Sequence, residues 1–180
     1  NNYFALFNNM KLKIGTIDTS DVCSIHSREM DSPPRLFSIH QKPLSLFVAF
    51  EKPACFTVSA FCLPSFSETY TQHFGDQETI ECFYYHETYQ TTFIGSITKS
   101  KQSRIFAVKD LFNQFKSICD FEIVETISSM ASSKPNNLIV GSHYMLYVFQ
   151  IEPLFNGLMK ITQLQAITTN IIPKSISFFN

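Results

Sequence analysis

Hydrophobic and polar positions alternate with a period of two along much of this 180-residue chain. The alternation is clearest over residues 44–50 and 55–62, where the intervening positions are also fairly apolar. Such a pattern is typical of strands inside a two-layer β-sandwich. Further strands are predicted over residues 36–40, 79–85, 91–98, 143–151 and 158–166, with one or two short strands over 3–17 and a loop over 18–35.

The spacing changes after residue 103. Apolar residues recur there at intervals of three and four, at Ile105, Val108, Phe112 and Phe115, which predicts a helix capped by Ser103. A second short helix is predicted after Asp120, with one apolar face made by Ile123, Val124, Ile127 and Met130. We therefore expect a helical hairpin, over about residues 103–130, inserted into a mainly β fold.

Two local signals lie near the end of the chain. Asn156-Gly157 predicts a tight β-hairpin turn, since both central residues of a type I′ turn have positive φ. In the returning strand the apolar phase shifts between Ile161 and Leu164, which predicts a β-bulge. The sequence shows no internal repeat and no low-complexity tract.

Composition narrows the class of protein. Lys and Arg (14) balance Asp and Glu (15), whereas a nucleic-acid-binding domain has a basic excess, so we expect no direct nucleic-acid contact. The five cysteines are odd in number and lack CxxC spacing, which favours reduced thiols. The first methionine is Met10, and we expect the chain to be a fragment of a longer protein containing one domain, residues 1–180.

The sequence carries few signs of catalysis. The five glycines stand alone, which excludes phosphate-binding loops, and histidine and cysteine do not cluster at metal-ligand spacing. His86-Glu87 lies at a predicted turn, where a solvated hairpin tip is the simpler reading. Cys82 and His86, four apart on a strand, would lie roughly 13 Å apart, too far for a nucleophile and its base. We expect no enzyme, no metal and no cofactor.

The predicted helical hairpin has more apolar positions than one face can bury. Some of them can thicken the core, and others can line an exposed groove for a partner's amphipathic helix, rimmed by Lys109 and Lys116. The sequence does not decide which residues belong to which group. The positions concerned are Phe106, Phe112, Phe115, Ile118, Ile123 and Ile127.

The order of elements over residues 55–165 resembles the C-terminal cofactor-binding domain of TEA/ATTS-family transcription factors. The resemblance rests on the acidic-aromatic strand 78–85, the strand end 92–100, the predicted hairpin and the strand 147–151, followed by a last strand containing residues 160–164. The family places helices between its early strands, and this chain has no counterpart for them. Where the family has an acylated cysteine, between Ser103 and Ile105, this chain has none.

The resemblance implies an immunoglobulin-like β-sandwich with an inserted helical hairpin. It implies a nuclear protein that recruits a transcriptional coactivator, such as Yes-associated protein or a Vestigial-like protein, while a separate domain binds DNA. The last strand has Lys160 and Thr162 where the family presents His and Tyr, so the partner can differ. The partner-binding residues carried over from the family are Phe50, Phe112, Phe115, Lys116, Ile123 and Ile127.

Two other readings stay open at this point. The first is a β-sandwich domain with a structural or adhesion role and no part in transcription. The second is a small hydrolase whose site the sequence does not reveal.

Overall fold

The computed structural model describes residues 2–8, 10–17, 23–30, 32–42, 44–53, 55–63, 65–75, 78–111, 114–123 and 125–176. These residues form fifteen β-strands and no helix, so none of them provides a helix that could cross a membrane. The strands form four antiparallel sheets, in each of which strands consecutive in sequence are neighbours.

We number the sheets I to IV in chain order. Sheet I contains β1 (Asn2–Asn8), β2 (Lys11–Ile17) and β3 (Cys23–Glu29). Sheet II contains β4 (Pro34–Gln41), β5 (Leu44–Lys52), β6 (Cys55–Cys62) and β7 (Glu68–Phe74). Sheet III contains β8 (Glu78–His86), β9 (Thr91–Thr98), β10 (Ser103–Leu111) and β11 (Gln114–Ile123). Sheet IV contains β12 (Ile127–Ala131), β13 (Asn137–Ser142), β14 (Met145–Pro153) and β15 (Met159–Thr168).

Successive sheets are arranged around a common axis. The first strands of sheets II, III and IV lie side by side, β8 between β4 and β12, and the last strands β7, β11 and β15 meet more sparsely. In each case the last strand of one sheet leads directly to the first strand of the next. We call these first strands inner and these last strands outer. The arrangement resembles successive blades of a β-propeller, which are four-stranded meanders around a central axis.

Apolar side chains hold neighbouring sheets together face to face. Phe47, Ala49 and Val58 of sheet II pack on Ile94 and Phe106 of sheet III in one core. The opposite faces of these two sheets pack on sheets I and IV, so sheets II and III are buried on both faces. The core between sheets I and II includes Leu12, Ile14, Leu46, Val48 and Phe61, and that between sheets III and IV includes Phe93, Ile105, Ile127, Val140 and Phe149.

The mainly β character expected from the sequence is confirmed, and the sheets stack face to face as the layers of a sandwich do. The expected immunoglobulin-like architecture is wrong, because the chain forms four sequential meanders instead of one sandwich with an insertion. The region 18–35, expected to be a loop, contains β3 and the start of β4.

The expected helical hairpin over residues 103–130 is also wrong, because this region forms β10, β11 and the start of β12. In β10, Ile105 and Ala107 face sheet IV while Phe106 and Val108 face sheet II. A strand buried on both faces has an almost continuous apolar run without period two. Intervals of three and four then occur by coincidence, and they imitate one face of a helix.

The structure also tests the two local predictions near the end of the chain. The hairpin at Asn156-Gly157 joins β14 and β15, although only Gly157, with φ of 80°, has positive φ in this turn. The predicted bulge is confirmed at Leu164, because Val148 pairs with Gln165 and Phe149 pairs with Gln163. The expected strand 143–151 begins at Met145, after a turn in which Tyr144 has φ of 60°.

The inter-sheet cores predict where truncation is costly. Phe93 is fully buried between sheets III and IV, so Phe93→Ala should lower the free energy of unfolding by about 3–5 kcal/mol. Phe155→Ala is the matched control, because Phe155 is fully exposed and its truncation should change stability by less than about 0.5 kcal/mol. Urea denaturation of both variants measures the difference, and equal losses would contradict the assigned packing.

Candidate functional site

The partner-binding residues predicted from the sequence do not lie together on one exposed surface. Phe50, Ile123 and Ile127 are buried in the cores between sheets. Phe115 is half-buried, with its ring edge-on to Phe47 at 5.1 Å between centroids. Lys116 is exposed and pairs across the strands with Lys109. Phe112 lies outside the described residues, and partner binding by this set stays a prediction.

Each of two histidines links an inner strand to the second strand of the next sheet. His40, on β4, is stacked between Phe47 and Tyr85, at 4.3 and 4.5 Å between ring centroids. Its Nδ1 lies 3.0 Å from the Oγ1 of Thr92 on β9. Burial lowers the pKa of His40 from 6.5 to about 3, so the ring is neutral and serves as a packed polar link between sheets.

His86, on β8, occupies the corresponding place between sheets III and IV. Its Nε2 lies 3.2 Å from the carbonyl oxygen of Asn137, where β13 begins. A carbonyl only accepts, so Nε2–H donates, and Nδ1 of the neutral ring is left as an acceptor. Burial also lowers the pKa of His86. The turn expected at His86-Glu87 lies at residues 87–90, and the solvated His86 expected there is wrong, because His86 ends β8 and its imidazole is buried.

The cysteine thiols are poorly suited to nucleophilic chemistry. Burial, together with the charge of Glu81, raises the pKa of Cys82 to about 12, and burial together with Asp120 raises the pKa of Cys119. Because the thiolate is the reactive form, these side chains behave as small apolar groups at neutral pH. Cys55, Cys62, Cys82 and Cys119 form no disulfides with one another, and the described residues hold no His, Cys, Asp and Glu group that could bind a metal.

A polar cavity of about 190 Å³ lies between sheets I and II. Ser59 Oγ donates to Glu68 at 2.8 Å, Thr71 also donates to Glu68, and Arg28 pairs with the same carboxylate at 3.4 Å. Burial tends to raise the pKa of Glu68, but the two hydroxyl donors and Arg28 lower it overall. The polar groups around this carboxylate satisfy one another, as a structural network does.

Among the residues that the structure describes, the most exposed large apolar side chain is Phe155, at the tip of the β14–β15 hairpin. Leu154, Phe155 and Leu158 project from it, and Phe155 is as exposed as in an extended chain. The backbone below is ordered by its own hydrogen bonds, with Leu154 N–H donating to Leu158 O at 2.8 Å and Gly157 N–H to Leu154 O at 3.1 Å. Leu158 N–H also donates to Asn156 Oδ1 at 3.1 Å. The hairpin tip (residues 154–158) is therefore a hydrogen-bonded turn that exposes the phenyl ring of Phe155 to solvent.

Sequence reasoning found the turn but missed the side chain beside it. An aromatic residue directly before Asn-Gly indicates an exposed ring, because a hairpin loop of two to five residues leaves the side chains at its tip little to pack on. His40 was missed for a different reason. Its neighbours Phe47, Tyr85 and Thr92 come from three other strands, and only the packing of sheets II and III brings them together.

The comparisons with known proteins add no family. No protein-family model matches the chain, and no curated protein matches its sequence.

The histidine links predict how stability depends on pH. An unfolded His40 takes up a proton near pH 6.5, whereas the folded one does so near pH 3. Its contribution to stability is therefore complete above pH 6.5 and is lost as the pH falls toward 3. Between pH 7.5 and pH 5 this single group should remove about 2 kcal/mol, and His86 should act in the same direction.

Urea titrations at both pH values test this linkage. His40→Gln should be less stable than wild type at pH 7.5 but lose less stability on acidification. His143→Gln, at an exposed histidine, is the matched control and should keep the wild-type pH dependence. An unchanged pH dependence in His40→Gln would show that the buried ring is not the titrating group.

Proposed function

We propose that this chain is a non-enzymatic protein-interaction scaffold that engages its partner through the hairpin tip of residues 154–158. The observation that carries the proposal is the full exposure of Phe155 on a hydrogen-bonded turn. Large aromatic side chains that a rigid turn presents to solvent are the usual anchors of protein interfaces, since little conformational entropy is lost when they bind.

The placement of the reactive side chains supports a role without catalysis. His40 and His86 are neutral links between sheets, and Cys82 is buried with a raised pKa. The carboxylate of Glu68 is held by hydroxyl and guanidinium partners. These groups are engaged in packing and in hydrogen bonds, whereas the hairpin tip has three apolar side chains exposed to water.

The partner that suits this tip is a protein with an apolar pocket of the size of a phenyl ring. Leu154 and Leu158 are 45% and 40% exposed, and they flank Phe155 as a rim that would exclude water from the filled pocket. The TEA resemblance implies that this partner is a transcriptional coactivator in the nucleus. That identity stays a proposal.

Site-specific photocrosslinking tests the proposal. A photoreactive amino acid at position 158, in cells that express the chain, should yield one discrete crosslinked polypeptide. The same probe in the Phe155→Ala background should lose that product, because the anchor is gone while stability is unchanged. The purified partner should then bind Phe155→Ala at least about tenfold more weakly than wild type in calorimetry.

The control places the same probe at Thr88, which is exposed in the turn between β8 and β9. Equal crosslinking from Thr88, or a product that survives Phe155→Ala, would refute the assignment of the hairpin tip. A crosslinked transcriptional coactivator would support the coactivator proposal, and a crosslinked protein of another class would contradict it.

A further inference from the structure

The polar cavity of about 190 Å³ between sheets I and II contains more polar side chains than the network around its carboxylate. In that network, Glu68 accepts hydrogen bonds from two hydroxyl groups and pairs with Arg28. Lys52, at the end of β5, and Ser32, between β3 and β4, line the same cavity. Neither of these two side chains is hydrogen-bonded to the network, so they are the groups whose role the fold leaves to be explained.

Ser32 is a buried side chain whose hydroxyl group lacks a partner. The residue is only 6% exposed, and its Oγ has no hydrogen bond in the part of the chain that the structure describes. A buried hydroxyl group without a partner is costly, and such groups in native proteins are nearly always hydrogen-bonded. The partner of Ser32 must therefore come from the cavity, as water or as a ligand atom.

Lys52 gives the cavity a positive charge that no carboxylate of the described residues balances at ion-pair distance. Three carboxylates in the cavity wall or beside Lys52 each have a cation of their own at 2.9–3.4 Å: Glu29 with Lys11, Glu51 with Arg35 and Glu68 with Arg28. At about pH 7.5 histidine is mostly neutral, so His73 in the wall adds little charge. Four cations then face three carboxylates, and the excess charge is that of Lys52.

The walls of the cavity suit a small ligand with a polar side and an apolar side. Thr57 and Ser59 on β6 contribute hydroxyl groups, and Met30, Phe50 and Phe61 contribute apolar surface. The volume lies below the roughly 300–1,000 Å³ of pockets for drug-sized ligands, so the ligand must be smaller. A single sugar ring has this combination, because its hydroxyl groups surround the ring and its C–H groups form apolar faces.

A second recess gives access to the same two side chains. It has a volume of about 400 Å³ and shares Ser32 and Lys52 with the cavity. The other residues that line it, among them Met10 and Pro53, are exposed. Ser32 and Lys52 therefore lie where the cavity meets the surface, and a ligand can reach them from solvent.

We propose that this cavity binds a small sugar acid, whose carboxylate group accepts hydrogen bonds from Lys52 Nζ and Ser32 Oγ and whose ring lies between the β6 hydroxyl groups and the apolar wall. Both free groups are donors, as a carboxylate requires. One excess positive charge matches a carboxylate better than a phosphate monoester, which carries about −1.5 to −2. The cavity is on sheets I and II and the hairpin tip on sheet IV, so this site is independent of the proposed function.

A heteronuclear NMR titration of the purified chain with glucuronate at about pH 7.5 tests the site. Glucuronate should bind with a dissociation constant of about 1 mM or below, and the largest shifts should lie at residues that line the cavity. Glucose has the same ring without the carboxylate and should bind at least about tenfold more weakly. Glucose 6-phosphate should also bind more weakly than glucuronate. Equal binding of glucose, tighter binding of glucose 6-phosphate, shifts confined to another surface, or no binding of glucuronate would overturn the proposal.

Two variants separate ligand binding from a structural role. Lys52→Met should weaken glucuronate binding at least about tenfold and Ser32→Ala about three- to tenfold, because each removes one donor. The melting temperature without ligand should not fall in either variant, since neither side chain has a partner among the described residues. Lys13→Met is the matched control at an exposed lysine, on the face of sheet I that points away from sheet II, and should bind as wild type does.

Three results would assign Lys52 and Ser32 to another role. Unchanged glucuronate binding in both variants would show that the carboxylate is not held there. Equal weakening in Lys13→Met would show that any loss of surface charge has the same effect. A loss of binding together with a large fall in melting temperature would assign the two side chains to packing.

Discussion

Packing of apolar faces between successive sheets is the interaction on which this structure depends. Sheets II and III lie between neighbours, so the strands in the middle of these sheets must be apolar on both sides, and β5, β6 and β9 are buried almost throughout. Burial of apolar area is the main favourable term in folding, roughly 25 cal/mol per Å². A chain that forms no helix in its described part can gain that term only by stacking one sheet on the next.

Polar groups inside such a stack need partners, and a ring nitrogen of each of two histidines has its partner on the next sheet. His40 and His86 lie near the ends of successive inner strands, and each reaches the second strand of the next sheet. A buried imidazole without a partner would be costly, so these links also favour one relative position of neighbouring sheets. Two histidines of a kind that catalysis could employ are thus part of the packing between sheets.

The same constraint explains where function can reside. Side chains on the faces between sheets are occupied by packing, which leaves the turns and the exposed parts of the outer strands for binding. At the hairpin tip, a backbone ordered by three hydrogen bonds carries an exposed phenyl ring. The proposed interaction scaffold accounts for this feature.

The sequence by itself determined the local elements whose cause is local. Period-two alternation located the strands of residues 44–50 and 55–62, Asn156-Gly157 located a hairpin, and the shifted phase near Leu164 located a bulge. Only the tertiary structure decided the rest. Strands such as β10 lose their period-two alternation when both faces are buried, so residues 105–118 imitated a helix. The succession of similar sheets follows from their packing, and no repeat in the sequence reveals it. For the same reason, the sequence could point to a turn at the hairpin tip, whereas exposure of Phe155 and burial of Phe50, Ile123 and Ile127 depend on which sheet covers which face.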